Sequence, residues 1–414
     1  MEEQIIMNER FPLGFWNYQP MTHVTLDDVQ KWAECGMTLP MSPQYYPTPE
    51  NKRRMLEILD ECQRNDMRVI LCDSRSHWKG AASDPETYRV HFREACEDFA
   101  SHPAVYGFHI GDEPSRNEME DVITALAIQK EEAPSLKPFL NLLPTWDGKY
   151  IGYDDVYACF DDIKARMPLD QLCYDRYSQM NPEESGTEAY FVDLRRYSEL
   201  SASMGIPFWT TLLCVGHFRY RVPSEDDLRW QLSTALAAGC KGILWFMFYL
   251  RAPISNYRKA PIDMFGERTE TFYALKNVLR QFNATYADTF KDLTLDGCYH
   301  LGRAWGGYPL FTDKTDDVII HAESSAGLDA IISFFTGKDG KKYVAIVGNS
   351  TKENNHIALT VRKSAGRMMR VGPSFGHPDV QMNFHDEGLK DEGDTFTYYP
   401  WLAPGQINLY RFDK

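Results

Sequence analysis

The feature that most constrains the fold is an eightfold alternation of short apolar runs with helical patterns. The apolar or β-branched runs lie at 12–18, 37–42, 67–73, 104–111, 138–143, 169–175, 206–214 and 241–248. Runs of this length, bounded by turn residues, are typical of buried strands, and strands that alternate with helices form parallel sheets. Eight such units predict a (β/α)8 barrel, in which active sites are built at the carboxyl ends of the strands.

The starts of the predicted helices agree with this arrangement. Thr48 and Asp84 each precede a proline, which places an N-cap residue before proline at the first helical position. Thr25 and Ser224 are each followed by an acidic first turn, which suits the positive end of a helix. The strand-to-helix connections therefore follow directly after the apolar runs.

A second pattern begins after the last predicted helix, at 269–288. The β-like segments there lie at 317–321, 331–335, 343–347, 356–361 and 407–412, with turn residues between them. This spacing predicts a small C-terminal β-sandwich. We expect a barrel domain over 1–295 and a sandwich domain over 296–414.

Composition excludes several classes of protein. The formal net charge of −15 disfavours a nucleic-acid partner, because phosphates would be repelled. The nine cysteines are widely spaced inside apolar runs, so we expect reduced thiols. We expect no cofactor, no metal and no membrane span, and a cytoplasmic location, or a secreted or periplasmic one if a leader was removed. The sequence makes no prediction of oligomeric state.

The fourth apolar run ends in Asp112 and Glu113, and Pro114 stops it. Adjacent carboxyls at a strand end suggest glycoside hydrolysis, in which one carboxylic acid protonates the leaving oxygen and a second carboxylate attacks or activates water. We expect Glu113 to be the general acid, held partly protonated by burial and by Asp112. The alternative is that the pair caps the next helix, but Ser115 and Glu118 already form the pattern of a capping box.

Polar and aromatic side chains gather at the other strand ends. Carbohydrate is the expected substrate, because aromatic faces match the apolar faces of sugar rings, while carboxylates, amides and arginine bind hydroxyls. The candidate substrate-binding residues are Trp16, Tyr18, Gln44, Tyr45, Asp73, Arg75, His109, Asn141, Tyr177 and Trp245.

Several of these residues have a structural alternative. Trp16 and Trp245 are equally well explained by packing in the barrel, and His109 by a hydrogen-bonded position in the core. Asp73 and Arg75, two apart on one strand, can form an ion pair with each other. His217, at the end of the seventh run, has a surface loop as its structural alternative.

The second carboxylate is harder to assign, because the seventh run, 206–214, contains no acidic residue. Asp175, at the end of the sixth run, is the best candidate. Its flanking tyrosines, Tyr174 and Tyr177, can hydrogen-bond the carboxylate and hold it ionised. The alternative is a salt bridge with an arginine, Arg75 or Arg176. Asp112 is then expected to position Glu113 or a sugar hydroxyl.

Two stretches resemble known glycosidases. The Asp112-Glu113-Pro114 strand end resembles the Asn-Glu-Pro end of strand 4 in clan A retaining glycosidases, and residues 228–248 with 260–269 resemble family 42 β-galactosidase-like proteins. The resemblance implies a barrel with a small C-terminal β-domain and implies that Glu113 is the acid/base. The chain departs from clan A at Asp112, where asparagine is expected, and in the missing nucleophile of strand 7.

The same strand end is also similar to that of family 20 hexosaminidases. That resemblance implies that Asp112 orients a substrate acetamido group, which acts as the nucleophile, while Glu113 is the acid. The leading interpretation remains a glycoside hydrolase that uses Glu113 and Asp175. The alternatives are this substrate-assisted hydrolase, a non-catalytic carbohydrate-binding barrel and, least favoured, a metal-assisted hydrolase using Asp73, Asp112, Glu113 and Asp175.

Overall fold

A computed structural model describes residues 7, 9–145, 148–250, 256–372, 379–381 and 389–413. The chain divides into two compact units. The first comprises Met1–Tyr177, Arg196–Val222 and Gly242–Lys276, and the second comprises Ser178–Arg195, Pro223–Lys241 and Asn277–Lys414.

The first unit contains the predicted parallel barrel. Its regular strands are β1 (Leu13–Phe15), β2 (Val69–Leu71), β3 (Val105–Asp112), β4 (Phe139–Asn141), β5 (Leu172–Asp175), β6 (Phe208–Leu213) and β7 (Ile243–Phe246). All of their pairings are parallel, in the orders β2-β3-β4 and β1-β7-β6-β5. Their apolar side chains are buried, as expected for strands covered on both faces.

The eighth position in the barrel is filled by residues 38–42, which form no regular strand. The Leu39 amide donates to the Leu13 carbonyl (2.9 Å), and the Ser42 amide donates to the Ile70 carbonyl (2.9 Å), so this segment joins β1 to β2. Pro40 and Pro43 lack the N–H groups that a continuous ladder needs. The gap between β4 and β5 is closed by the Leu142 amide, which donates to the Cys173 carbonyl (2.7 Å).

The helices follow the strands as the sequence predicts. They are α1 (Leu26–Cys35), α2 (Pro49–Arg64), α3 (Pro85–Phe99), α4 (Met119–Glu132), α5 (Gly148–Ile151), α6 (Val156–Arg166), α7 (Glu184–Met204), α8 (Glu225–Ala237), α9 (Glu270–Thr285) and α10 (Ala287–Lys291). Thr48 and Asp84 are the N-caps of α2 and α3 and accept hydrogen bonds from the amides of Asn51 and Thr87, each at 3.1 Å. Within the described residues, no helix combines the length and the apolar character needed to cross a membrane.

The second unit contains the C-terminal sheets. Their strands are β8 (Leu293–Leu301), β9 (Ile319–Ser324), β10 (Ala330–Gly337), β11 (Lys342–Gly348), β12 (Asn355–Arg362), β13 (Arg367–Val371), β14 (Asp379–Gln381), β15 (Leu389–Glu392), β16 (Thr395–Tyr398), β17 (Trp401–Leu402) and β18 (Ile407–Asp413). One antiparallel sheet has the order β14-β13-β18-β11-β10-β8, and the other has the order β15-β16-β12-β17, with β9 also paired to β12.

One hydrophobic core joins these two sheets into a β-sandwich. It contains Ile332 and Ile346 from the first sheet and Ile357 and Leu359 from the second, none more than 1% exposed. The alternation of buried and partly exposed residues along β12 is typical of a strand with one face on a core. The cysteines of the described chain form no disulfide, and all except Cys96 are buried.

Candidate active site

The end of β3 has an unusual backbone that presents two carboxyls at the barrel mouth. Gly111 has φ +155°, and a Cβ atom there would lie 2.2 Å from a ring carbon of Trp78. Glu113 has φ +50°, a left-handed conformation that costs a residue other than glycine roughly 1–2 kcal/mol. The Glu113 amide donates to the Asn141 carbonyl (2.9 Å), which fixes this conformation against the end of β4. Strain of this kind is concentrated at functional sites.

Asn141 links the carboxyls of two different strands. Its Nδ2 atom donates to Asp112 Oδ1 (3.0 Å) and to Asp175 Oδ1 (2.9 Å), and its side chain is only 1% exposed. The carboxyls of Glu113 and Asp175 lie close enough to act on each other's pKa, and the Tyr177 hydroxyl lowers that of Asp175. We call Asp112, Glu113 and Asp175 the carboxyl cluster.

Burial and mutual repulsion raise the pKa of every carboxyl in this cluster. Desolvation and then the Asp112 charge raise the pKa of Glu113, while desolvation and then the Glu113 charge raise the pKa of Asp175 well above its usual range. Asp112 is still open to solvent, yet partial desolvation and the Asp175 charge raise its pKa to about 7. The two carboxyls titrate as a coupled pair, because burial and their mutual repulsion disfavour ionisation of both at once.

This corrects one expectation for Asp175. The sequence predicts that neighbouring tyrosines hold the carboxylate ionised, and Tyr177 does donate a hydrogen bond that lowers the pKa of Asp175. Desolvation and Glu113 outweigh that donor, so the net change in pKa is upward. The expected alternative of a salt bridge with Arg75 is not formed, because Arg75 pairs with Asp73 and Asp98.

A group of rings lies beside the carboxyl cluster. We call Tyr177, His217, Tyr220, Phe246 and Tyr257 the aromatic wall. Tyr177 lies 5.4 Å from Phe246 and 5.9 Å from Tyr220, measured between ring centroids, and His217 stacks on Tyr257 at 5.1 Å. Desolvation raises the pKa of Tyr220, and the charges of Asp175 and Glu113 add to this while that of Arg176 opposes it.

His217 is buried, so its structural alternative, a surface loop, does not apply. Its side chain is 3% exposed, and desolvation, followed by the charge of Arg258, lowers its pKa to about 4. The imidazole is therefore neutral, and its Nδ1 atom has no hydrogen-bond partner. His217 and Tyr220 come directly after the seventh apolar run, and this position at a strand end was the available sequence signal.

Trp16, Trp245 and His109 lie inside the barrel. Trp16 is 3% exposed and donates from Nε1 to Thr211 Oγ1 (3.1 Å), and Trp245 is fully buried. His109 lies edge-on to Trp16 with ring centroids 5.4 Å apart, and desolvation lowers its pKa to about 4. Barrel packing accounts for both tryptophans and for the neutral histidine.

Asp73, Arg75 and Tyr45 form part of the barrel wall. Arg75 forms ion pairs with Asp73 (2.8 Å) and with Asp98 of α3 (2.9 Å), and the Asp73 and Arg75 side chains are buried. The Arg75 guanidinium lies 5.5 Å from the centre of the Tyr45 ring, which is 2% exposed. The ion pair given as the structural alternative is present. Packing in the barrel wall therefore accounts for Asp73, Arg75 and Tyr45, and we no longer assign them to sugar binding.

Tyr18 and Gln44 lie closer to the mouth. Tyr18 is partly buried, stacks on Trp16 at 5.9 Å, and meets the edge of Phe246 at 6.1 Å. Gln44 is partly buried, and its backbone amide donates to the Gln19 carbonyl (2.9 Å). Both remain candidate sugar contacts.

Glu118 and Ser115 form the predicted capping box, with the Ser115 amide donating to Glu118 Oε2 (2.9 Å). This leaves the carboxyls of Asp112 and Glu113 outside the helix cap. In the part of the chain that the structure describes, no three or more His, Cys, Asp or Glu side chains have their donor atoms arranged around one metal position.

Comparison with solved structures agrees with the barrel. The chain is similar to the β-galactosidase of the psychrophilic Marinomonas ef1 (12% identity, TM-score 0.50, 66% of this chain and 60% of that chain) and to the cold-adapted β-galactosidase of Rahnella sp. R3 (13%, 0.51, 67% and 57%). It is also similar to a glycoside hydrolase family 5 protein of Bacteroides vulgatus (13%, 0.57, 97% and 89%).

These similarities support the fold at the level of architecture. The chain matches less than two thirds of the length of either β-galactosidase. No protein-family model matches the sequence, and no curated protein matches it. The barrel followed by antiparallel C-terminal sheets is thus the architecture that this chain shares with solved glycosidase structures.

Proposed function

We propose that this protein is a glycoside hydrolase in which Glu113 and Asp175 are the catalytic carboxyls. The observation that carries the proposal is the gathering of Asp112, Glu113 and Asp175 at neighbouring strand ends, where Asn141 bonds both Asp112 and Asp175 and where Glu113 and Asp175 act on each other's pKa. Such a pair supplies the proton and the carboxylate that cleavage of a glycosidic bond requires. The three similar solved structures, all glycosidases by name, add support from the shared architecture.

The hydrogen bonds divide the two roles. In the free site the interaction between the two carboxyls raises the pKa of Asp175 and lowers that of Glu113, whereas Asn141 and Tyr177 lower the pKa of Asp175. When a glycosidic oxygen replaces Asp175 as the partner of Glu113, that interaction is lost, so the proton moves to Glu113 while Asn141 and Tyr177 favour the charge on Asp175. Glu113 is then the general acid and Asp175 the nucleophile.

The contact also favours retention of configuration. Inverting enzymes separate their carboxyls by roughly 6.5–9.5 Å to admit a water molecule, while retaining enzymes keep them at about 5–5.5 Å. The mutual effect of Glu113 and Asp175 on their pKa values indicates a short separation, which favours the retaining arrangement. In the first step Glu113 protonates the leaving oxygen as Asp175 bonds to the anomeric carbon. In the second, Glu113 takes a proton from the water that releases the sugar from Asp175.

Asp112 and the rings complete the site. Asp112 accepts a hydrogen bond from the Asn141 side-chain amide and so orients Asn141, which also bonds Asp175. The charge of Asp112 also helps to raise the pKa of Glu113. Tyr18 and the aromatic wall offer flat faces to the apolar side of a pyranose ring.

The test uses Glu113→Gln and Asp175→Asn on a panel of aryl α- and β-glycosides that includes galactosides, glucosides and N-acetylhexosaminides. We expect Asp175→Asn to lower kcat/KM by about 10²- to 10⁴-fold on every substrate that wild type cleaves. Glu113→Gln should lose similar activity with a poor leaving group but retain the first step with dinitrophenolate, which leaves without a proton. NMR of the first-formed anomer should report retention.

Asp154→Asn is the matched control, because it removes one carboxylate from an exposed loop position in the same unit. Full activity in either catalytic variant contradicts the assignment. Hydrolysis confined to N-acetylhexosaminides and insensitive to Asp175→Asn assigns the nucleophile to the substrate acetamide instead. Sugar binding by a wild type that hydrolyses nothing in the panel contradicts the enzyme proposal as a whole.

A further inference from the structure

The carboxyl cluster contains more acceptors than the described residues can satisfy. Its three carboxyls offer six oxygens, and the donors found there among the described residues are the Asn141 amide and the Tyr177 hydroxyl. Asn141 adds a further acceptor, because its Oδ1 atom is buried without a partner on a side chain that is 1% exposed. A buried acceptor without a donor is unfavourable, so a bound ligand that brings donors is favoured here.

The cluster also carries one carboxyl more than the proposed reaction needs. Glu113 and Asp175 supply the acid and the nucleophile, and Asp112 remains open to solvent at the mouth. Desolvation and the Asp175 charge raise the pKa of Asp112, and the Asn141 amide lowers it. Neither Asp175 nor Asn141 is a cation. A ligand that brings positive charge would supply the missing counter-charge.

The neighbouring rings suit the same kind of ligand. Tyr177 is in contact with Phe246 and Tyr220, and Phe246 also meets Tyr18. Faces of such rings attract cations, and they do so more strongly when water is displaced. An ammonium group has three donors and no acceptor, which matches both the acceptor excess and the negative charge, whereas a hydroxyl adds an acceptor with every donor.

We propose that the sugar bound beside the carboxyl cluster carries a protonated amino group, so that the substrates are glycosides of 2-amino-2-deoxy sugars with a free amine. This inference rests on the proposed function. Position C2 follows from the chemistry, because it adjoins the anomeric carbon attacked at Asp175 and its substituent therefore lies nearest to the carboxyls. Asp112 and Asn141 Oδ1 are the expected acceptors of the ammonium hydrogens.

The test compares aryl glycosides that differ only at C2, in both the gluco and the galacto series: the free amine, the hydroxyl and the N-acetyl derivative. At pH 7, where much of the amine is still protonated and Asp112 is partly ionised, we expect kcat/KM for the amine to exceed that for the hydroxyl by at least about tenfold, mainly through KM. Asp112→Asn should bring this ratio close to one, because it removes a charged acceptor. Asp154→Asn should keep the ratio unchanged.

Two kinds of failure are separable. Equal or better hydrolysis of the hydroxyl or N-acetyl glycosides overturns the amine inference and leaves the proposed glycosidase function standing. If no glycoside is hydrolysed, the proposed function fails, and an NMR titration of wild type with glucosamine and with glucose tests the ligand class by itself. Glucosamine that binds no tighter than glucose overturns the inference.

Discussion

At the scale of single residues, Asp112 is exposed but does not behave as a surface carboxyl. Its folded pKa is about 7, whereas an aspartate in an unfolded chain titrates near about 3.9. The folded protein therefore binds more protons than the unfolded chain between about pH 4 and pH 7. The contribution of Asp112 to stability is fully present below about pH 4 and is lost as the pH rises through about 7.

Asp112→Asn tests this sign, since asparagine is close to a permanently protonated aspartate. We expect the variant to gain stability relative to wild type on going from pH 5 to pH 8, by about 1 kcal/mol after allowance for the exposed side chain. Urea unfolding of both proteins at each pH measures the difference. Asp154→Asn serves as the control, and parallel stability curves for wild type and Asp112→Asn would refute the assignment.

The identities of the cluster residues were accessible from sequence, but their contacts were not. Asp112, Glu113, Asp175 and Asn141 all follow apolar runs, and strand ends of a parallel barrel meet at one rim. Periodicity does not specify which side chains turn toward one another. The Glu113–Asp175 contact depends on a left-handed backbone at Glu113, and a non-glycine residue gives no sequence signal for that conformation.

At the scale of elements, the end of β3 depends on Gly111. Its φ of +155° is strained for other residues, and an added Cβ would overlap the Trp78 ring, whose backbone amide is tied to Ile110 (3.1 Å). The space that glycine leaves is therefore filled by an aromatic ring under the carboxyl pair. The conformation of Glu113 rests on this packing.

Gly111→Ala should therefore cost about 3 kcal/mol of stability and most of the activity, because both the backbone and the indole must shift. Gly205→Ala is the matched control: Gly205 has φ +68°, but no atom lies within 4 Å of an added Cβ, so only backbone strain of about 1 kcal/mol is expected. Thermal unfolding and kcat/KM on one substrate check both variants. Equal losses in the two would contradict a role for Trp78.

Only part of the aromatic wall could be predicted from the sequence. Tyr177 was identified because it ends an apolar run, but His217, Tyr220 and Tyr257 come from loops whose packing depends on each other. Side chains in loops follow no hydrophobic periodicity from which their packing could be predicted. The alternation of runs and caps predicts strands and helices well, because burial and capping are local requirements.

At the scale of the whole molecule, the two compact units do not follow a single cut in the sequence. Helix α8 belongs to the same unit as the sandwich strands. Within that unit Ser333 Oγ donates to the Ala237 carbonyl (2.7 Å), and Trp230 Nε1 donates to Asn349 Oδ1 (2.8 Å). A division after Leu295 remains a proposal for the domain boundary, and it falls inside β8.

We expect a chain shortened to residues 1–295 to aggregate or to unfold without cooperativity. The cut divides β8 and removes the strands that cover α8, whose residues from Trp230 to Ala237 are all buried in the full chain. Size-exclusion chromatography and urea unfolding, with the full chain alongside, provide the measurement. A monomeric fragment with a single sharp transition would show instead that residues 1–295 fold independently.

The irregular segment 38–42 has a consequence for how the barrel moves. The Thr38, Leu39, Met41 and Ser42 amides all donate to β1 or β2, but Pro40 has no N–H, so the segment supplies one donor fewer than a regular strand would. Regions with sparse backbone hydrogen bonding open locally at lower free energy than the global transition. The amides of segment 38–42 should therefore exchange with solvent sooner than those of the seven regular strands, and local opening of the barrel should be concentrated between β1 and β2.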